Sequence, residues 1–126
     1  MNFFDNSYEA GEDLTEHQNR AVTLDGDKLK VPATEDTPLI GVLLNAPAKG
    51  EAGRVVMMGL NKAVAGATVT QHERLKSIAT ADGTPEDTGK LIPVSGNNKL
   101  SYATALESGE KDELISIMVS GVATEV

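Results

Sequence analysis

Two histidines and the acids beside them are where this sequence could hold a metal or move a proton. His17 lies among Glu9, Glu12, Asp13 and Glu16, a mixed nitrogen and oxygen set. A structural or catalytic metal site needs ligands at a recurring spacing, and these follow none, so the run reads as a solvated acidic segment. His72-Glu73 in TQHERL reads as a polar turn rather than an acid-base pair. Asp25-Gly26-Asp27 has the start of a calcium loop without its remaining ligands, and reads as a hairpin turn. Serines and threonines are spread over the β-prone runs with no base beside them. There is no GxSxG, no GxxxxGK[ST], no GxGxxG and no HExxH. The expectation is a protein that is not an enzyme: no catalytic residues, no cofactor and no metal.

Bulk properties narrow the remaining classes. With 126 residues the chain is about one domain, large enough to bury a core. Hydrophobic residues make up 40% but aromatics only 3%, so that core must be built from Val, Leu, Ile, Ala and Met. Cysteine is absent, which excludes disulfides and thiolate metal sites. The formal net charge is -8, with lysines and arginines scattered singly among carboxylates, where a nucleic-acid binder would carry a cationic stripe. The N-terminal MNFFDNSYEAGEDL lacks the basic and apolar regions of a signal peptide, and no run approaches the roughly 20 apolar residues of a membrane span. The expected partners therefore include neither nucleic acid nor membrane, and the protein is expected to be made and used without export.

The elements that would position any site are strands. RAVTL and KLKVPA flank the Asp25-Gly26-Asp27 turn, and LIGVLLNA and RVVMMGL flank a loop from Pro47 to Gly53. NKAVAG, ERLKSIA, KLIPVS, LSYATAL and ELISIMVS follow. Short runs about ten residues apart, separated by Gly, Pro, Asn and Asp, predict an all-β fold, a small antiparallel β-barrel or sandwich. Ile115, Ile117 and Val119 alternate with Ser116, Met118 and Ser120, as in a strand with one core face. LIGVLL and RVVMMGL are apolar on both alternating sets, so both faces need cover: a second strand layer, a loop or a neighbouring subunit. The subunit reading assigns Leu43, Val56 and Met58 to an interface. Asp13 to Asn19 is the one candidate helix, residues 81 to 90 the most loop-like stretch, and residues 95 to 99 a tight turn.

Of four aromatics, Phe3, Phe4 and Tyr8 fall in the first eight residues, outside every predicted strand. This divides the chain into an extended N-terminal arm, residues 1–12, and a single β-barrel-like domain, residues 13–126. The arm either caps its own barrel or buries its aromatics against a partner. Glu9, Glu12 and Asp13 would then add salt-sensitive attraction to a basic surface.

The order of AGEDLTEHQNRAVTL, DGDKLKV, IGVLLNAPAKGEAGRVVMMGLNKAVAGATVT and ATALESGEKDELISIMVSG resembles the small decoration, or cement, proteins of tailed-bacteriophage capsids. The most specific parts are Ile40-Gly41-Val42 with Asn45 and Pro47, the Gly50-Glu51 turn, Val64-Ala65-Gly66 and Ala105-Leu106-Glu107. Together they cover about residues 10 to 121. The resemblance implies a non-enzymatic virion structural protein that binds the outer surface of the assembled head and stabilises it by cementing neighbouring major capsid subunits. It also implies association as a homotrimer, with synthesis in the host cytoplasm. On that reading Phe3, Phe4, Tyr8, Glu9, Glu12 and Asp13 would be the capsid-binding residues. The alternative is a stand-alone β-sandwich that binds carbohydrate or another small ligand, for which Tyr102 is the available aromatic platform. If no metal is held, excess chelator leaves the melting temperature unchanged within about 1 °C, because a metal bound only by the native state must stabilise it by mass action. A large fall would restore the His17 cluster as a site.

Overall fold

A computed structural model describes residues 5–34, 37–94 and 100–125, so the turn expected at residues 95 to 99, like Phe3 and Phe4, lies outside the described residues. The described residues form ten strands: β1 (Asp5–Ala10), β2 (Ala21–Asp25), β3 (Lys28–Lys30), β4 (Gly41–Leu43), β5 (Ala52–Val56), β6 (Gly59–Val64), β7 (Arg74–Ser77), β8 (Leu91–Pro93), β9 (Leu100–Ala105) and β10 (Leu114–Glu125). The fold is all-β, as the spacing of the apolar runs predicts. Gly26, at the first central position of the β2–β3 turn, has φ 66°, which suits the right-handed twist of the flanking strands.

The leading arm is corrected by the pairing. β1 joins β5 in antiparallel register from Asp5↔Val56 to Glu9↔Ala52, and joins β3 in parallel through Ala10↔Leu29. It thereby closes a barrel of order β1-β3-β2-β4-β5. Tyr8 and Ala10 pack in the barrel core while Ser7 and Glu9 are exposed, a period-2 pattern hidden by the polar character of SYEA. Asp13 to Asn19 is also corrected: it forms successive turns rather than a helix. His17 N–H donates to Leu14 O, Arg20 N–H donates to His17 O, and buried Leu14 anchors the segment. The loop-like stretch carries two single-turn 3-10 helices, Thr80–Asp82 and Pro85–Asp87.

Where one barrel was expected, the chain builds the same five-strand unit twice. The second sheet has the order β6-β10-β9-β7-β8, and a parallel bridge, Ala65↔Leu91, draws the end of β6 back to β8. This mirrors β1 beside β3 in the first unit. Hydrogen bonds repeat pair for pair. Ala10 N–H donates to Glu51 O and Gly50 N–H to Ala10 O; Ala65 N–H donates to Glu113 O and Asp112 N–H to Ala65 O. Leu14 N–H reaches Pro47 O as Val69 N–H reaches Gly109 O. The Gln18 amide donates to Leu44 O as the Gln71 amide donates to Leu106 O, each at 3.1 Å. Both units turn on the same device, in which a glutamate accepts from the backbone N–H three residues earlier: Ala48 to Glu51 at 2.7 Å and Glu110 to Glu113 at 2.6 Å. Matched by these bonds, AGEDL at residues 10 to 14 stands against AGATV at residues 65 to 69 and Gln18 against Gln71, so the second unit is two residues shorter between those points.

The two units share one hydrophobic interior and the first has a second of its own. Val22, Leu29, Leu43 and Val55 fill the first barrel. Ala21, Val42 and Val56, on the outside of that barrel, join Leu75, Leu91, Ile115 and Ile117 of the second unit in one cluster. This decides what covers the doubly apolar hairpin. Val55, fully buried, points into one core and Val56, 8% exposed, into the other. The placement of Leu43 and Val56 at a subunit interface is therefore corrected: both are buried within the chain, and of the three only Met58, 44% exposed, is open. RVVMMGL is not one strand; at Met57-Met58 the chain crosses from the first unit to the second. β4 lies so close to β5 that a Cβ on Gly41 would stand 2.0 Å from Val56 O. Gly41→Ala is expected to cost about 3 kcal/mol by urea unfolding, in the range of an unrelieved overpacking. Unchanged stability would mean that the hairpin is not held against both cores.

Candidate functional site

The chemistry-bearing residues are dispersed by the fold. His17 is half-buried, and its Nδ1 has no hydrogen-bond partner among the described residues. Burial and nearby Arg20 hold its pKa below the ordinary 6.5, against the pull of Glu12, Glu16 and Asp13. Asp13 accepts from Thr15 N–H at 3.1 Å, and Glu12 accepts from Val31 N–H at 3.4 Å. No group of three or more His, Asp or Glu side chains among the described residues is arranged to hold a metal. His72 is exposed with φ 77°, the turn residue, and the Glu73 carboxylate accepts from Thr70 N–H at 2.6 Å. Glu73 thus caps its own turn, the same device seen at Glu51 and Glu113. Asp25 and Asp27 sit exposed at the tip of the β2–β3 hairpin.

The residues expected to reach a shell are tied to the barrel as far as they are described. Tyr8 packs on the first core. Glu9 accepts a hydrogen bond from Lys28 Nζ at 2.6 Å, an exposed pair that links β1 to β3. Tyr102 is half-buried and lines a small apolar hollow between the units with Leu39, Met57 and Val119. It offers no open platform of the kind a sugar ring stacks on.

Sequence reasoning missed a charge cluster that fastens the units. Lys90, 8% exposed, donates to Asp87 at 2.5 Å and to Asp112 at 2.6 Å, while Lys111 stands 3.3 Å from the other oxygen of Asp87. The i,i+3 spacing of Asp87 and Lys90 was the available signal; the contribution of Asp112 was not readable before folding. Around the cluster, Arg20 Nη1 donates to Glu86 O and Ala21 N–H to Gly89 O, binding the 84 to 90 segment to the first unit. Burial by itself would lower the Lys90 pKa, but the hydrogen bonds it donates to Asp112 and Asp87 outweigh it and the net direction is up. The Lys90 hydrogen bond holds the Asp87 carboxyl below the ordinary 3.8, with burial opposing. Sequence reasoning also missed an exposed apolar row on the outside of the second unit, formed by Leu60, Leu114 and Met118. Alternation in ISIMVS places Met118 on the outward side of its strand, and it is outward; the paired position of Leu60 depends on register.

The fold is a double five-stranded β unit. In a comparison with solved structures it matches the N base of head fiber gp8.5 in bacteriophage phi29, with a TM-score of 0.63 and 18% sequence identity, covering 97% of this chain and 98% of that one. At that identity the correspondence is one of fold. No family model and no curated protein matches the chain.

Removing Lys90 leaves the buried Asp87 carboxylate with only the longer contact to exposed Lys111, so Lys90→Met is expected to cost about 3 kcal/mol near neutral pH, measured by urea unfolding. Asp87 has a folded pKa below its unfolded value, so its stabilisation is present above 3.8 and is lost as pH falls through the lowered value. The gap between wild type and Lys90→Met should therefore close in strong acid. A gap independent of pH would show that Lys90 contributes by packing rather than by charge.

Proposed function

We propose that this protein is a phage virion structural protein, carried on the outer surface of the head with the major capsid protein as its partner, where it cements neighbouring capsid subunits without catalysing a reaction. The observation that carries this reading is the fold match running through nearly the whole of both chains to a protein described as the base of a head fiber. The order of sequence elements, which resembles capsid decoration proteins, points to the same class independently. A base and a decoration protein make the same physical demand: a rigid unit whose core is complete without its partner, offering a surface or terminal segment to the shell. The two internal cores meet that demand.

Because Tyr8, Glu9 and Glu12 are engaged within the barrel, the shell contact in this reading rests on the segment before β1 and on exposed carboxylates. Deleting residues 2 to 8 would remove most of the β1–β5 register and so confound shell binding with folding. Phe3→Ser with Phe4→Ser is cleaner. Each Phe buried on the shell is worth about 2 kcal/mol, so the double variant should bind purified, undecorated heads at least about tenfold more weakly in a sedimentation assay, and a fall in melting temperature without loss of binding would assign both rings to the barrel instead. Wild-type protein that fails to sediment with heads, yet is retained by a glycan array, would replace this reading with the carbohydrate-binding one.

A further inference from the structure

A protein that cements neighbouring subunits holds two of them, so it needs a second contact besides the segment before β1. The outer sheet of the second unit has the composition for one. The chain carries 19 acidic residues. Yet β6, β7, β8 and β9 hold no aspartate or glutamate and β10 holds none before Glu125, whereas strands of the first unit carry Asp5, Glu9 and Asp25. Ala63, Leu75, Ala103 and Ile117 fill the inner face of this sheet, so alternation turns Leu60, Lys62, Arg74, Lys76 and Met118 outward. An antiparallel sheet that faces water on one side is ordinarily polar there. Here Leu60 is 69% exposed, Leu114 52% and Met118 41%. On the same face Leu60, Lys62, Leu106 and Ser116 line a groove of about 350 Å³. Glu107, 3.6 Å from the Lys62 ammonium, accepts from Ser116 N–H and so is held at the edge of the groove.

We propose that this face is a second docking surface, for an acidic protein surface with an apolar side chain at its centre. It rests on the virion reading, in which that surface belongs to a major capsid subunit. The apolar side chain enters the groove beside Leu60 and Leu106, and the carboxylates around it meet the cations of β6 and β7. Charge complementarity selects this occupant. Exposed apolar surface flanked by cations is matched by apolar surface flanked by carboxylates, and a basic partner is repelled. Nucleic acid and anionic membranes carry charge over their whole surface, which the net charge of -8 opposes. A local acidic patch on a protein is met only at contact, within a Debye length of about 8 Å.

The test sediments purified, undecorated heads at low and high salt with full-length wild type, Leu60→Asp, Lys62→Glu and Lys62→Arg. Expected is binding about tenfold weaker for Leu60→Asp and for Lys62→Glu, with near-wild-type binding for Lys62→Arg. The Lys62→Glu deficit should shrink as added salt screens it. Both side chains are exposed, so circular dichroism and melting should not change. If Lys62→Glu melts lower because it faces Glu107, Leu60→Asp decides. Leu60→Asp and Lys62→Glu proteins that bind heads like wild type overturn the proposal, and the virion reading still stands if Phe3→Ser with Phe4→Ser weakens binding. Wild-type protein that fails to sediment with heads overturns both. Variants whose mass by light scattering falls in the absence of heads also overturn it, since the face then joins copies of the chain.

Discussion

The contact between β4 and the end of β5 is the constraint on which the rest of the structure depends. Two consecutive valines on β5 serve two interiors: Val55 completes the first barrel and Val56 starts the core shared with the second unit. A β-strand can do this because successive side chains leave opposite faces. It requires β4 to approach without bulk, which Gly41 provides beneath the Val56 carbonyl. A chain with so few aromatics has no large side chain with which to bridge a gap between sheets. Close approach of small and β-branched residues, as at Ala21, Val42, Ala63, Ala65, Ala103 and Ala105, does that work. Density takes the place of size, as close-packed interiors allow.

The tandem repeat explains why turns with little in common by residue type share one geometry. The glutamates at positions 51, 73 and 113 each satisfy a backbone donor three residues earlier, and the intervening residues with positive φ, Gly50, His72 and Asp112, include two that are not glycine. These bonds are solvent-exposed and each adds a modest stabilisation to its turn, so the carboxylate serves structure. The same logic bears on His72 and Glu73. Their types invite an acid-base reading, and their geometry assigns both to a turn.

Fold and function are linked here only as far as the site allows, because one fold can carry unrelated activities. The match to a head-fiber base, at 18% sequence identity, speaks for the fold alone. Among the described residues both apolar cores are built from the chain's own side chains. The buried Lys90 cluster fits this picture: it ties the loop between β7 and β8 to the turn before β10, and through Arg20 and Ala21 to the first unit. It fastens the two halves where apolar contact gives out.

The sequence by itself determined the strands and the absence of motif chemistry. Alternation in ISIMVS and the punctuation of short apolar runs by Gly, Pro and Asp are local signals, and local backbone geometry obeys them. Helical capping at Asp13 was outcompeted by turns anchored on Leu14, a tertiary contact. β1 was not legible because SYEA has too few apolar residues to register as a strand until β5 supplies its partner. The cover of the doubly apolar hairpin lay equally beyond the sequence. Periodicity shows that both faces of LIGVLL and RVVMMGL must be buried, but whether a subunit or a second sheet buries them depends on contacts between residues far apart in the chain. Tertiary structure decided for the second sheet, assigned Val55 and Val56 to different cores, and left Leu60 and Met118 outside. The repeat is the extreme case: its hydrogen bonds coincide pair for pair while its residues mostly do not, because backbone geometry tolerates side-chain change wherever volume and face are kept.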